Sequence, residues 1–232
     1  MYNEPLMVYR FEGEIAVPCA VFCAGYGWNG DEYIKFYWEH QRSRPTTPRW
    51  MWVDQNGDGY AQEDEYELYE LGAPAERNFV RSIDIDDQGN ILLANKLGYW
   101  KFPTNGFDQY GNPKYSAESL TKIEHPGYSS QTMKWVQDKD VMVEGEGDGT
   151  AISKVHVYEN WSDITKRSKR FTIDLPAGEP ANVTADNKYI YVSYAIESGP
   201  NTDGTGEILV YDLKDGSSVG YISPGPEVEN YS

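Results

Sequence analysis

Residues 54 to 65 read DQNGDGYAQEDE. Oxygen-bearing side chains stand at Asp54, Asn56, Asp58, Gln62 and Glu65, and a glycine, Gly59, occupies the sixth place. A hard cation taking six to eight oxygens at about 2.3–2.6 Å suits this alternation, because the backbone winds round the ion and presents a ligand at every second residue. Tyr60, in the seventh place, offers its backbone carbonyl, so its side chain is free to vary. Gln62 acts directly or through a water, and Glu65 in the twelfth place supplies a bidentate carboxylate. Gly59 permits the sharp turn without a Cβ clash. The expected metal is Ca²⁺, with Asp54, Asn56, Asp58, Tyr60, Gln62 and Glu65 as its ligands.

The spacing is that of an EF-hand loop, but the flanks are not. RWMWV, residues 49 to 53, reads as a β-strand where an entering helix would stand. Position eight is Ala61, where a larger aliphatic residue ordinarily pairs two loops. No second full loop occurs, so a structural ion is expected and not a switch; a single loop without a helix pair has no element to bias. The competing reading is an acidic hairpin.

Other constellations are weaker. EGEGDGT (144–150) and NTDGTGE (201–207) are acidic and Gly-rich but lack six-ligand spacing, and read as hairpin loops. Asp84 and Asp86 alternate with Ile83 and Ile85, which puts both carboxylates on one strand face, either lining a channel or capping a turn. GSSVG (216–220) matches the nucleophile-elbow pattern, yet that motif needs a strand–turn–helix and a later His. No His follows His156. His40, His125 and His156 are far apart in sequence and form no metal pair; His156 reads as a channel-facing or a satisfied strand residue. No catalytic residue is assigned. Two sequons begin at Asn160 and Asn182, relevant in a eukaryotic secretory setting. The aromatics of FYWEH (36–40) and GYWKF (98–102) read as packing residues or as a ligand platform.

The charge excludes some classes of partner. With 37 acidic and 20 basic residues among 232, the net charge is −17. Phosphate backbones demand clustered Lys and Arg, so no nucleic acid is expected, nor docking on an anionic membrane. No run reaches the roughly 18 apolar residues of a membrane span. The first residues lack a basic and then apolar leader, so any export signal would lie outside this sequence. Cys19 and Cys23 lie about 13 Å apart along a strand, beyond the roughly 7 Å Cα reach of a disulfide. They read as small core residues.

Elements able to position the loop are β-strands. Long helical periodicity is missing; AQEDEYELYELG, residues 61 to 72, is the best helical candidate, ended by Gly72. SIDIDDQGNILLAN (82–95), MKWVQDKDVMVEG (133–145) and VTADNKYIYVSY (183–194) share a strand, an Asp-bearing turn and a second strand. Their turn aspartates Asp87, Asp138 and Asp186 recur about every 50 residues, a repeat-scale period. A further strand follows each, within 98–106, 153–162 and 206–216. PLMVYRFEGE (5–14) looks like ILVYDLKDG, and WMWVDQNGDGY (50–60) looks like the start of another unit.

Repeated small antiparallel sheets of this period indicate an all-β β-propeller of about four partial blades, one domain over 1–232, with a calcium-loop insertion at 50–72. Four blades fit an open part of a larger ring. IDIDDQGNILLAN, KFPTNGFDQYGNPKY and GEILVYDLKDGSSVGYISPGPEV resemble NHL-type and gluconolactonase-like propellers. WVDQNGDGYAQEDE resembles a segment that interrupts the repeats in an uncharacterised group of exported bacterial propellers. The resemblance implies an extracellular or periplasmic calcium-binding module, a binding or scaffold surface for a protein or glycan. The alternative it implies is a metal-dependent lactonase or esterase, or a glycan-active propeller. The lactonase would need a channel-facing Glu, for which Glu12 and Glu14 are the nearest candidates, and its remaining ligands have no counterparts here.

Overall fold

A computed structural model describes residues 6–24, 45, 47, 49–72, 80–95, 97–124, 130–147, 151–178, 180–195 and 206–223. These residues form sixteen strands in four four-stranded antiparallel sheets. The first sheet holds β1 (Leu6–Glu12), β2 (Ile15–Ala24), β3 (Arg49–Val53) and β4 (Tyr66–Leu68), and the second holds β5 (Ser82–Ile85), β6 (Ile91–Asn95), β7 (Gly98–Phe102) and β8 (Thr121–Ile123). The third holds β9 (Ser130–Val136), β10 (Val141–Gly147), β11 (Ile152–Glu159) and β12 (Ser168–Asp174), and the fourth β13 (Pro180–Ala185), β14 (Tyr189–Tyr194), β15 (Ile208–Asp212) and β16 (Ser218–Ile222). Every sheet runs in chain order, each strand bonded to the next. Such a four-stranded meander is the blade of a β-propeller. The expected all-β propeller class and the count of four units are therefore what the chain has.

The blades fall into two compact units, Met1–His125 and Pro126–Ser232. Inner strands are apolar on both faces. All five residues of β6, ILLAN, are buried, as are four of five in β3. Each fully buried Leu or Ile stabilises by about 1.5–3 kcal/mol, so the short strands are held by packing. In the first unit, Ala20, Phe22 and Met51 pack with Leu93, Trp100 and Phe102 of the second sheet. In the second unit, the valines of β10 and β11 pack with Ile190, Val192 and Leu209. Edge strands differ: all five residues of β16 are exposed.

Two expectations are corrected. Residues 61 to 72 form no α-helix; Glu63–Glu65 make a single 3-10 turn and Tyr66–Leu68 enter the sheet as β4. The pairings Trp50–Leu68 and Trp52–Tyr66 hold that hairpin, and sheet pairing outweighs a marginal three-turn helix. WMWV does not begin a new unit but forms the third strand of the first blade, bonded to β2 through Cys23–Trp50 and Val21–Trp52. Asp87 lies in the turn of the second blade as read, and Asp86 caps that turn, one of its two expected roles: the Asp86 Oδ1 accepts the Gln88 and Asn90 N–H groups at 3.0 and 2.8 Å. Asp186 does the same for Lys188 and Tyr189, each at 2.7 Å. Asp138 lies in a 3-10 turn closed by Asp140, whose φ is +49°.

Candidate metal site

The loop of interest is the β3–β4 connection, so a hairpin of the first blade carries it. Its side chains fold back on its own N–H groups. Asp54, fully buried, accepts Gly57 N–H on Oδ1 at 2.7 Å and Gly59 N–H on Oδ2 at 3.1 Å. Asn56 Oδ1 accepts Asp58 N–H at 2.9 Å, and Asp58 Oδ1 accepts Tyr60 N–H at 2.8 Å. Two amides, Asn56 Nδ2 and Gln62 Nε2, donate to Asp58 Oδ2 at 3.2 and 2.9 Å. Glu65 is 5% exposed and accepts three donors: Gln55 N–H on Oε1, and Trp52 Nε1–H and Gln62 N–H on Oε2. Gly57 and Gly59 take φ of +83° and +75°. A Cβ at Gly59 would stand 2.8 Å from Val17 Cγ1, so only glycine fits that turn.

All six expected ligands thus belong to one ordered loop. Asn56 and Gln62 both bond to Asp58, while Asp54 and Glu65 grip backbone N–H groups on either side. Tyr60 is 65% exposed, its side chain outside the network. Gln62 Oε1 is buried and has no hydrogen-bond partner; an orphaned oxygen at the ninth position suits a hard cation. The donor set is all oxygen, which suits Ca²⁺. Among the described residues no three His, Cys, Asp or Glu side chains group as metal ligands, so the carboxylates of Asp54, Asp58 and Glu65 do not converge on one point here.

Two distant residues complete the loop. Arg10 on β1 donates from Nη1 to Asp54 Oδ2 at 2.9 Å and to Asn112 Oδ1 at 2.6 Å, and from Nη2 to Gly57 O at 2.7 Å. Asn112 returns Nδ2–H to Asp54 O at 2.7 Å. The Asn112 segment is itself an Asp-capped turn, Asp108 Oδ1 accepting Tyr110 and Asn112 N–H. Burial pulls the Arg10 pKa down, and hydrogen bonds to Asp54 and Glu12 outweigh it, holding the guanidinium above its ordinary range. The neighbouring Cys19 thiol is pushed up to about 11, chiefly by burial. Arg10 and Asn112 carried no local signal, because their contacts span 44 and 102 residues. Asp-x-x-x-Asn at 108–112 was the one legible hint, as a turn.

The remaining candidates settle into structural positions. Glu12 is exposed and paired with Arg10 at 2.9 Å, and Glu14 is exposed in the same hairpin. Ser218 opens exposed β16 after a turn, a strand–turn–strand without the helix of a nucleophile elbow. Tyr99, Trp100 and Phe102 are buried core. Cys19 and Cys23 are buried in the core and form no disulfide. His40, His125, and residues 36–40, 148–150 and 201–205 lie outside the described residues. No helix among the described residues is long and apolar enough to cross a membrane.

His156 is a satisfied strand residue. It is buried, its Nδ1 at 2.8 Å from Thr172 Oγ1 and its Nε2 at 2.6 Å from Glu146 Oε2. Burial lowers its pKa from the ordinary 6.5; Glu146 pulls it back up, and Lys169 and Lys154 push it down. The unfolded chain therefore binds this proton first as pH falls. The stability His156 lends above pH 6.5 is lost on acidification towards its lower folded pKa. Thermal melts between pH 7.5 and 5.5, of order one proton's worth of titration, should show wild type losing more than His156→Gln. Parallel losses would contradict this.

No family model matches this chain, and no curated protein matches it. Among solved structures it is similar to Saccharomyces cerevisiae Sqt1, with 11% identity and a TM-score of 0.46 over 95% of this chain and 48% of that one. It is also similar to a chain of the mitotic checkpoint complex, with 14% identity and a TM-score of 0.38 over 68% of this chain and 48% of that one. The chain spans about half the length of the solved structures it matches. The blade assignment rests on the four meanders themselves.

Proposed function

We propose that this chain is a non-enzymatic β-propeller binding module whose β3–β4 connection is clamped by one structural Ca²⁺ ion. The observation that carries the reading is the buried, partnerless Gln62 Oε1 beside Asp58, inside a loop whose other oxygens hold EF-hand spacing. A carboxylate oxygen that accepts one N–H keeps a second lone pair. Asp54 Oδ1, Asp58 Oδ1 and Glu65 Oε1 each accept one N–H and so retain a lone pair. A cation there would replace the amide donors on Asp58 and hold a long connection rigid. The outward surfaces of the blades would then meet a protein or glycan partner. The exported bacterial setting belongs to the same reading, since extracellular modules work at about 10⁻⁴–10⁻³ M calcium affinity.

At about 5 mM calcium such an affinity adds roughly 1–2 kcal/mol, or a few degrees in Tm for a chain of this size. Calorimetry in calcium and in chelator tests it. Glu65→Gln should abolish the increment, and so should Asp58→Ala, an exposed position whose loss leaves the fold intact. Equal melting with and without calcium would overturn the calcium assignment.

A further inference from the structure

The second unit carries a cleft that the calcium reading does not use. It encloses about 400 Å³, within the size range of small-ligand sites. Its walls come from connections of both blades. Lys139 lies in the β9–β10 turn, Arg170 near the start of β12, Asn187 and Lys188 in the β13–β14 turn, and Asp212 and Lys214 at the β15–β16 turn. Four cations against one carboxylate leave a net charge of +3 (4 − 1) in the lining. The whole chain carries −17, so this concentration runs against its composition.

The frame of the cleft is ordered. Arg170 is fixed by Nε to Glu159 Oε2 at 3.2 Å and by Nη1 to Leu213 O at 3.4 Å. Leu213 N–H donates to Lys188 O at 2.9 Å, tying two turns together. The neighbouring carboxylates are engaged by other donors. Asp212 Oδ1 accepts Lys214 N–H at 2.8 Å, and Asp138 Oδ2 accepts Asn187 Nδ2–H at 3.0 Å. Asp186 takes two backbone N–H groups and the Tyr191 hydroxyl. The ammonium of Lys188 sits 4.7 Å from the Tyr189 ring centroid. Lys139, Lys188 and Lys214 make no ion pair among the described residues, although Asp186 and Asp212 attract Lys188.

We propose that this cleft binds a small molecule through a tetrahedral anionic ester, a phosphate or sulfate monoester. Three lysine ammoniums supply mobile point charges and the held guanidinium a fixed one, the combination that suits a multivalent oxyanion. Asn187 and Asp212 offer neutral and accepting groups for the hydroxyls of the carrier. Binding weakens with salt, because the lining is open to solvent and its charges are screened.

Isothermal titration on the full chain, at low ionic strength, separates the sources. The probes are glucose 6-phosphate, glucose 6-sulfate, inorganic phosphate and glucose. Saturable sub-millimolar binding of either ester, with glucose inert, is the expected result; the preferred ester identifies the oxyanion. The double variant Lys139→Gln/Lys214→Gln should weaken it at least 10-fold while keeping the wild-type melting temperature. Lys154→Gln, which removes an exposed lysine outside the cleft, should leave it unchanged. Equal binding of glucose, an equal loss in Lys154→Gln, binding of inorganic phosphate alone, or no saturable heat with any ester would each overturn the proposal. Calcium binding at residues 54–65 has no bearing on any of these outcomes.

Discussion

Phe22→Ala should destabilise the first unit by about 3–5 kcal/mol, the largest single effect expected in this chain. Phe22 on β2 is fully buried. Its ring centroid lies 5.1 Å from Phe102 at 55° and 5.0 Å from Tyr115 at 83°, and Phe102 lies 5.0 Å from Tyr69 at 83°. Four rings thus run from the first blade into the second. Truncation removes the transfer free energy of a benzyl group and leaves a cavity that stiff strands on both sides cannot close. It also forfeits one tilted and one edge-on ring contact, worth about 0.5–1.5 kcal/mol each. Phe22→Leu refills most of the volume and should cost about 1–2 kcal/mol. Urea unfolding followed by Trp50, Trp52 and Trp100 fluorescence reads both variants. A loss under about 1 kcal/mol for Phe22→Ala would mean that these rings do not join the two blades.

Much of this architecture was legible because period-two patterning and an Asp in each tight turn are local signals. The strand–turn–strand stretches at 82–95, 133–145 and 183–194 were visible for that reason, and each lies within a hairpin of its blade. The twelve-residue loop was legible too, since its partners are two to ten residues apart. Errors came where distant partners decide. AQEDEYELYELG spaces acidic and aromatic residues as a surface helix does, yet Tyr66 packs edge-on against Trp50 at 5.3 Å and Glu65 is drawn to the Trp52 indole at 2.8 Å. Those contacts need β3 alongside, which no window of the sequence displays. WMWV looked like the opening of a unit because its pairing with β2 crosses residues 25–48.

Arg10→Met should cost about 2–4 kcal/mol, the second of the two large effects. The guanidinium is the one cation in contact with the fully buried Asp54 among the described residues. It also satisfies Gly57 O and Asn112 Oδ1. Methionine keeps the apolar stem but leaves Asp54 a buried charge held by N–H donors alone, and two oxygens lose a donor. Glu12, exposed and bound to the same side chain, contributes little, as surface pairs do. A double-mutant cycle with Asp54→Asn isolates the pair: the coupling should exceed about 1 kcal/mol, because each single change strands the other partner. Additive losses would show that Arg10 acts through packing only. The same cycle bears on the metal. Arg10 and a cation in the loop would both neutralise Asp54, so calcium should restore part of the stability lost in Arg10→Met and raise its Tm by more than it raises wild type. If calcium raises the variant no more than wild type, the ion and Asp54 do not meet, and Arg10 alone serves as the cation of this loop.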